Sequence, residues 1–147
     1  MRTNARSILI GVLATAFLSP VVSTAAAMEL EISIVGLRNT KGNILLALYR
    51  DAETFLDKEG FYRSLAIPAS GQPPTGVIRE LPEGEYAIAI LHDENNNNKM
   101  DTRFLLPREG FGFSNNVRVR VRAPSFGDTK FTINSERTRL EIQLQYR

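Results

Sequence analysis

The most regular stretch of the chain alternates. Over residues 28–35, Leu30, Ile32 and Ile34 fall on one face and Glu29, Glu31 and Ser33 on the other, the period-2 pattern of a half-buried strand. The turn cluster Asn39-Thr40-Lys41-Gly42-Asn43 separates it from an apolar run over 44–49, and the two runs together read as a β-hairpin. Asp51 is placed to cap a helical turn through Glu53, Thr54, Phe55 and Leu56. Phe55, Phe61, Tyr62 and Leu65 are expected to close one end of the core. Gly71, Pro73 and Pro74 keep 69–74 out of any central strand. A short strand is predicted over 77–81, closed by Pro82-Glu83-Gly84.

Tyr86, Ile88 and Ile90 alternate with Ala87 and Ala89. Both faces are apolar, which predicts a central strand. The segment Gly110-Phe111-Gly112-Phe113-Ser114-Asn115-Asn116 reads as a loop rich in residues that tolerate positive φ. Val117, Val119 and Val121 alternate with Arg118, Arg120 and Arg122, and Leu140, Ile142, Leu144 and Tyr146 with polar neighbours. Each of these predicts a strand, with a shorter one over 131–133. About seven short strands, spaced by turn signals and without a long helical period, predict an all-β chain folded as an Ig-like antiparallel β-sandwich.

Ahead of residue 28 the pattern changes. Arg2 and Arg6 precede an apolar run over 8–18, then Ser19-Pro20 and Ala25-Ala26-Ala27. This is the plan of a secretory signal peptide over 1–27, with an apolar run shorter than the roughly 20 residues that span a bilayer. The expectation is one β-sandwich domain over 28–147, periplasmic or secreted, with no transmembrane segment once the signal is removed. Removal also changes the charge. Taking Arg2 and Arg6 from the 18 basic residues leaves 16, equal to the 16 acidic residues. The formal net charge of +2 vanishes with the signal, and with it the charge-based reason to expect a nucleic-acid partner. No cysteine occurs, which excludes thiol nucleophiles and Cys-ligated metals, and the single histidine excludes multi-His metal sites.

The densest chemical signal is the run from His92 to Asp101, HDENNNNKMD. With Asp93 as position 1, side-chain oxygens recur at Asn95, Asn97 and Asp101, and Lys99 at position 7 offers its carbonyl. Ca²⁺ takes oxygen ligands from carboxylates, amides and carbonyls in such a spacing. The expected ligands are Asp93, Asn95, Asn97, Lys99 and Asp101. Position 6 is Asn98 rather than glycine, and position 12 is Phe104 rather than a bidentate glutamate. Few carboxylates predict weak binding, of roughly 10⁻⁴–10⁻³ M. The alternative is a polar turn in which Asn and Asp satisfy the loop's own backbone.

Two other features carry candidate chemistry. His92 lies beside Asp93, as in an envelope enzyme working with histidine and an acid, but no G-x-S-x-G motif accompanies it. Arg118, Arg120 and Arg122 line one face of a predicted strand and would suit an anion or polyanion, or guard an edge from pairing.

Several motifs occur together in order: Val35-Gly36-Leu37-Arg38-Asn39, Lys41-Gly42, Ala47-Leu48-Tyr49, Leu81-Pro82-Glu83-Gly84-Glu85-Tyr86-Ala87, the 92–101 loop, Gly110-Phe111-Gly112-Phe113-Ser114-Asn115-Asn116 and Pro124-Ser125-Phe126-Gly127-Asp128. In these the chain resembles the exported bacterial proteins grouped as DUF2141, over nearly all of 29–145. In the family's loop, glycines usually follow the asparagines; here Asn96 and Asn98 stand in those places. The Leu-Pro-x-Gly-x-Tyr segment is similar to one in transthyretin-like and carboxypeptidase-regulatory-like sandwiches. The resemblance implies a sandwich fold and no established activity. The expected role is a non-catalytic binding or structural accessory module of the envelope, with calcium as cofactor and an unknown envelope ligand or protein as partner.

Overall fold

The alternating segments become the facing layers of two sheets. The computed structural model describes residues 27–104 and 106–147; apart from Ala27, the expected signal peptide lies outside them. Along the chain come β1 (Met28–Val35), β2 (Asn43–Tyr49), β3 (Arg63–Pro68), β4 (Thr75–Leu81) and β5 (Gly84–Asp93). They are followed by the two-residue β6 (Thr102–Arg103) and β7 (Leu106–Pro107), then β8 (Gly110–Phe113), β9 (Phe131–Ile133) and β10 (Arg137–Gln143). One sheet runs β10-β1-β4 and the other β3-β2-β5-β8, with β9 also paired to β5. The β1–β10 pair is parallel; β1–β4, β2–β3, β2–β5 and β5–β8 are antiparallel.

The fold is an all-β sandwich. Its core takes the inward residues that the alternation marks: Leu30, Ile32 and Ile34 from β1, Ile44, Leu46 and Leu48 from β2, Ile88 and Ile90 from β5, and Ile142 from β10, all buried. β5 is central, paired on both sides. The step from β4 in one sheet to β5 in the other is fixed by Tyr86. Its ring is fully buried, and its hydroxyl donates to the Pro82 carbonyl at 2.7 Å, a tyrosine tie across a sandwich corner. No helix among the described residues is long and apolar enough to cross a membrane.

Four local expectations are corrected. β1 and β2 are not a hairpin, because they lie in different sheets. Strands facing one core from opposite sides carry the same alternation as strands side by side, so pattern alone does not choose between them. Residues 117–122 form no strand. They make a strap that bends over 120–122 and whose first part is held by a side chain: Val119 N–H donates to Gln145 Oε1 (3.1 Å) and Gln145 Nε2 donates to the Val117 carbonyl (2.8 Å). No helix forms after Asp51, and Leu56 there sits at φ 70°. Residues 110–113 are a strand rather than a loop. Gly110 and Gly112 face inward where a Cβ would meet the Tyr146 ring at 2.5 Å and the Gln143 carbonyl at 2.9 Å, respectively.

β3, the β6–β7 hairpin and the one-turn helix α1 (Phe126–Thr129) carried no expectation. β3 presents only Leu65 and Ile67 inward. The helix α1 is closed by a capping box between Ser125 and Asp128. It sets Phe126 against Phe55, which in turn packs edge-on to Tyr49.

Candidate functional site

β5 delivers His92 and Asp93 to the end of the large sheet, and the chain then turns out into the loop 94–101. Asn96 and Asn98 adopt φ of 58° and 57°, the left-handed conformation that asparagine tolerates better than most residues. These two reversals coil the loop around Asp93. Asp93 is buried. Its Oδ1 accepts the Asn97 N–H (3.1 Å) and its Oδ2 the Asn98 N–H (2.8 Å). Asn95 Oδ1 accepts the Asn97 N–H (3.1 Å), and Asn97 Oδ1 accepts the Lys99 N–H (2.8 Å).

The side-chain amides turn their nitrogens toward Asp101. Asn95 Nδ2 donates to Asp101 Oδ2 (2.7 Å) and Asn97 Nδ2 to Asp101 Oδ1 (3.0 Å). The structure therefore brings Asp93, Asn95, Asn97 and Asp101 into one bonded cluster, with Lys99 joined through its backbone. Phe104, at position 12, is 85% exposed and takes no part.

Glu109 braces the loop from outside the expected ligand set. It is buried, and its two oxygens accept the Glu94 N–H and the Asp101 N–H, each at 3.0 Å. It clamps the loop near both ends. Sequence reasoning missed it because 110–116 read as a loop. Once β8 pairs with β5, the register His92↔Gly110 sets Glu109 beside Asp93.

The inner wall is the turn before β2. Asn39 Nδ2 donates to Glu94 Oε2 and Arg38 Nε to Glu94 Oε1, both at 2.7 Å. Asn43 Nδ2 donates to Asn96 Oδ1 at 2.7 Å. Burial alone would raise the Glu94 carboxyl, but the bonds from Asn39 and Arg38, with the Arg38 charge, outweigh it and hold Glu94 below the ordinary glutamate value. A carboxyl lowered on folding stabilises the folded state above its unfolded pKa of roughly 4.3 and loses that contribution as pH falls through the folded value. Thermal melts from pH 7 downward should therefore fall less steeply below about pH 4.3 in Glu94→Gln than in the wild type. Parallel curves would remove Glu94 from the acid response.

The acceptor atoms of the cluster are all oxygens, the atoms that a hard divalent cation prefers. Among the described residues no three His, Cys, Asp or Glu side chains gather closely enough to hold a metal. Each asparagine Oδ1 that accepts one N–H keeps a second lone pair. The two Nδ2 contacts to Asp101 are the bonds that a cation would displace.

His92 is fully buried, and both its nitrogens are engaged. Nε2 lies 2.8 Å from the Lys41 carbonyl, which can only accept, so Nε2 carries the proton. Nδ1 lies 2.8 Å from the Tyr146 hydroxyl, which also accepts the Arg38 N–H at 3.2 Å. Burial holds the Tyr146 phenol above its usual value. The imidazole thus joins the turn at 38–43 to the C-terminal segment, and neither nitrogen faces solvent for proton transfer. Arg118, Arg120 and Arg122 are exposed on the strap; Arg118 and Arg120 line a cleft that Glu141 also enters.

The family model described as "Uncharacterized protein conserved in bacteria (DUF2141)" matches residues 32–141. Searches of curated proteins and of solved structures find no match to the chain.

Proposed function

The chain belongs to the DUF2141 family, and on that premise we propose that it is an exported, non-catalytic binding module of the cell envelope, periplasmic or secreted, whose 93–101 loop takes one weakly held Ca²⁺. The observation that carries this reading is the ring of oxygen-bearing side chains coiled around buried Asp93 and closed by Asp101. Asp93 and Asp101 supply charge, Asn95 and Asn97 neutral oxygens, and Lys99 a carbonyl. Glu109 supports the loop from behind and leads directly into β8, so a cation here would also steady the segment 110–116. Export would expose so weak a site to millimolar calcium.

A ligand bound only by the folded state stabilises it by RT ln(1 + [L]/Kd). At about 10 mM Ca²⁺ and a Kd of roughly 10⁻⁴–10⁻³ M, that is about 1.4–2.7 kcal/mol, or a rise in melting temperature of about 5–10 °C. Melts in EDTA and in calcium measure it. Asp101→Asn keeps the side chain's shape while losing its charge, and should abolish most of the rise; Asp51→Asn should keep it. A wild-type melt that does not respond to calcium, or an equal rise in Asp101→Asn, would overturn the reading.

A further inference from the structure

The two sheets meet solvent with opposite chemistry. The outer face of β10-β1-β4 is charged: Glu29 pairs with Arg79 (2.9 Å) and Arg137 (3.0 Å), and Glu31 with Arg139 (3.3 Å). A sandwich sheet that faces water is expected to look like this. The outer face of the other sheet does not. Its register sets Ala66, Leu45, Leu91 and Phe111 in one cross-strand row. The next row is Ser64, Ala47, Ala89 and Phe113, with Ser64 the one polar member of the eight.

Three segments rise around these rows. The loop at 56–61 stands on one side, the β6–β7 hairpin on another, and the strap on a third, where half-buried Val119 and exposed Val121 border the groove. Between them is a groove of about 940 Å³, within the range of sites that enclose a small ligand. The charged side chains lining it, Lys58 and Arg147, are both cations. Arg147 is taken up by the Val119 carbonyl. Lys58 is exposed and makes no ion pair among the described residues.

We propose that this groove binds one single-chain amphiphile with a carboxylate head, of the fatty-acid class. The chain lies on the floor made by Leu45, Ala47, Ala89 and Leu91, and the head pairs with Lys58. An apolar trough with small residues at its centre suits a flexible hydrocarbon chain, and an unpaired ammonium at its edge selects an anion over a neutral head. The proposal goes beyond the calcium reading and stands whether or not the loop takes a cation.

The test is calorimetric titration of the purified protein with decanoate, dodecanoate and tetradecanoate below their micellar concentrations, in EDTA and again in calcium. Saturable binding at one site is expected, tightening about fourfold for each added methylene. Dodecanol should bind at least tenfold more weakly than dodecanoate. Lys58→Glu, an exposed change that leaves the core intact, should weaken dodecanoate at least tenfold and leave dodecanol within twofold. Ala89→Phe, which fills the floor, should weaken both; if it does not fold, the Lys58→Glu pair of titrations decides. The proposal is overturned by absence of saturable binding, by equal affinity for acid and alcohol, or by binding that Lys58→Glu leaves unchanged. Sedimentation showing the groove closed on a second copy, or attachment to anionic vesicles without binding of the monomeric acid, would overturn it as well.

Discussion

Replacing Gly42 with alanine should lower stability by about 3 kcal/mol, enough to drop the melting temperature by roughly 10 °C. Gly42 sits at φ +67°, where a Cβ is strained. The larger part of the cost is contact. A Cβ built there would lie 1.9 Å from the Asp93 carbonyl oxygen and 2.9 Å from the Glu94 Cα. Both are backbone atoms at the root of the loop, so the clash cannot be relieved by turning a side chain. Either the turn at 38–43 lifts away, losing the Lys41 carbonyl bond to His92 and the Asn43 bond to Asn96, or β5 shifts. Denaturant unfolding of the pair measures the difference. A change below about 1 kcal/mol would mean that the turn does not press on the loop as described.

His92→Ala should cost a similar amount, about 3 kcal/mol. The imidazole is fully buried and bonded on both nitrogens. Its loss opens a void and leaves the Lys41 carbonyl without a partner, and it removes a tie between the turn and Tyr146. The same variant separates two readings of the sequence. A structural histidine lowers the melting temperature in proportion to what it held together. A melt left nearly unchanged would mean that the imidazole does not hold the turn to the C-terminal segment as described.

What the sequence made legible follows from which signals are local. The apolar faces of β1, β2 and β5 were plain because alternation over five or more residues defines a buried face without reference to any neighbour. The partner of each face was not plain. β1 and β2 carry matching patterns and yet stand in different layers, and the parallel β1–β10 pairing joins segments more than a hundred residues apart. The Val117–Arg122 alternation predicts a strand, and the structure forms none: residues 120–122 bend and Val121 stands exposed beside the arginines. It gained no ladder because Gln145 meets its backbone with a side chain. The spacing Ser125-x-x-Asp128 is a readable capping box, but a single turn carries no helical period to mark it.

The candidate site was legible in the same partial way. Asp93, Asn95, Asn97 and Asp101 are neighbours in sequence, and the structure gathers them. Glu109 is eight residues beyond Asp101 and joins them only through the β5–β8 register. The apolar outer face was hidden for a related reason. Ala47, Ala89 and Phe113 are ordinary residues along the chain, and they become a surface only when three strands are set side by side.

The reading of the loop as a calcium site is tested most directly by the side-chain amide resonances of Asn95 and Asn97 during a calcium titration. Both Nδ2 groups now donate to Asp101, and a cation seated among these oxygens must displace them. The two pairs of resonances should move together and saturate at about millimolar calcium, while those of Asn39, bonded to Glu94 outside the ring, shift little. Resonances of Asn95 and Asn97 that stay in place up to about 10 mM calcium would show that the loop closes on itself and holds no metal.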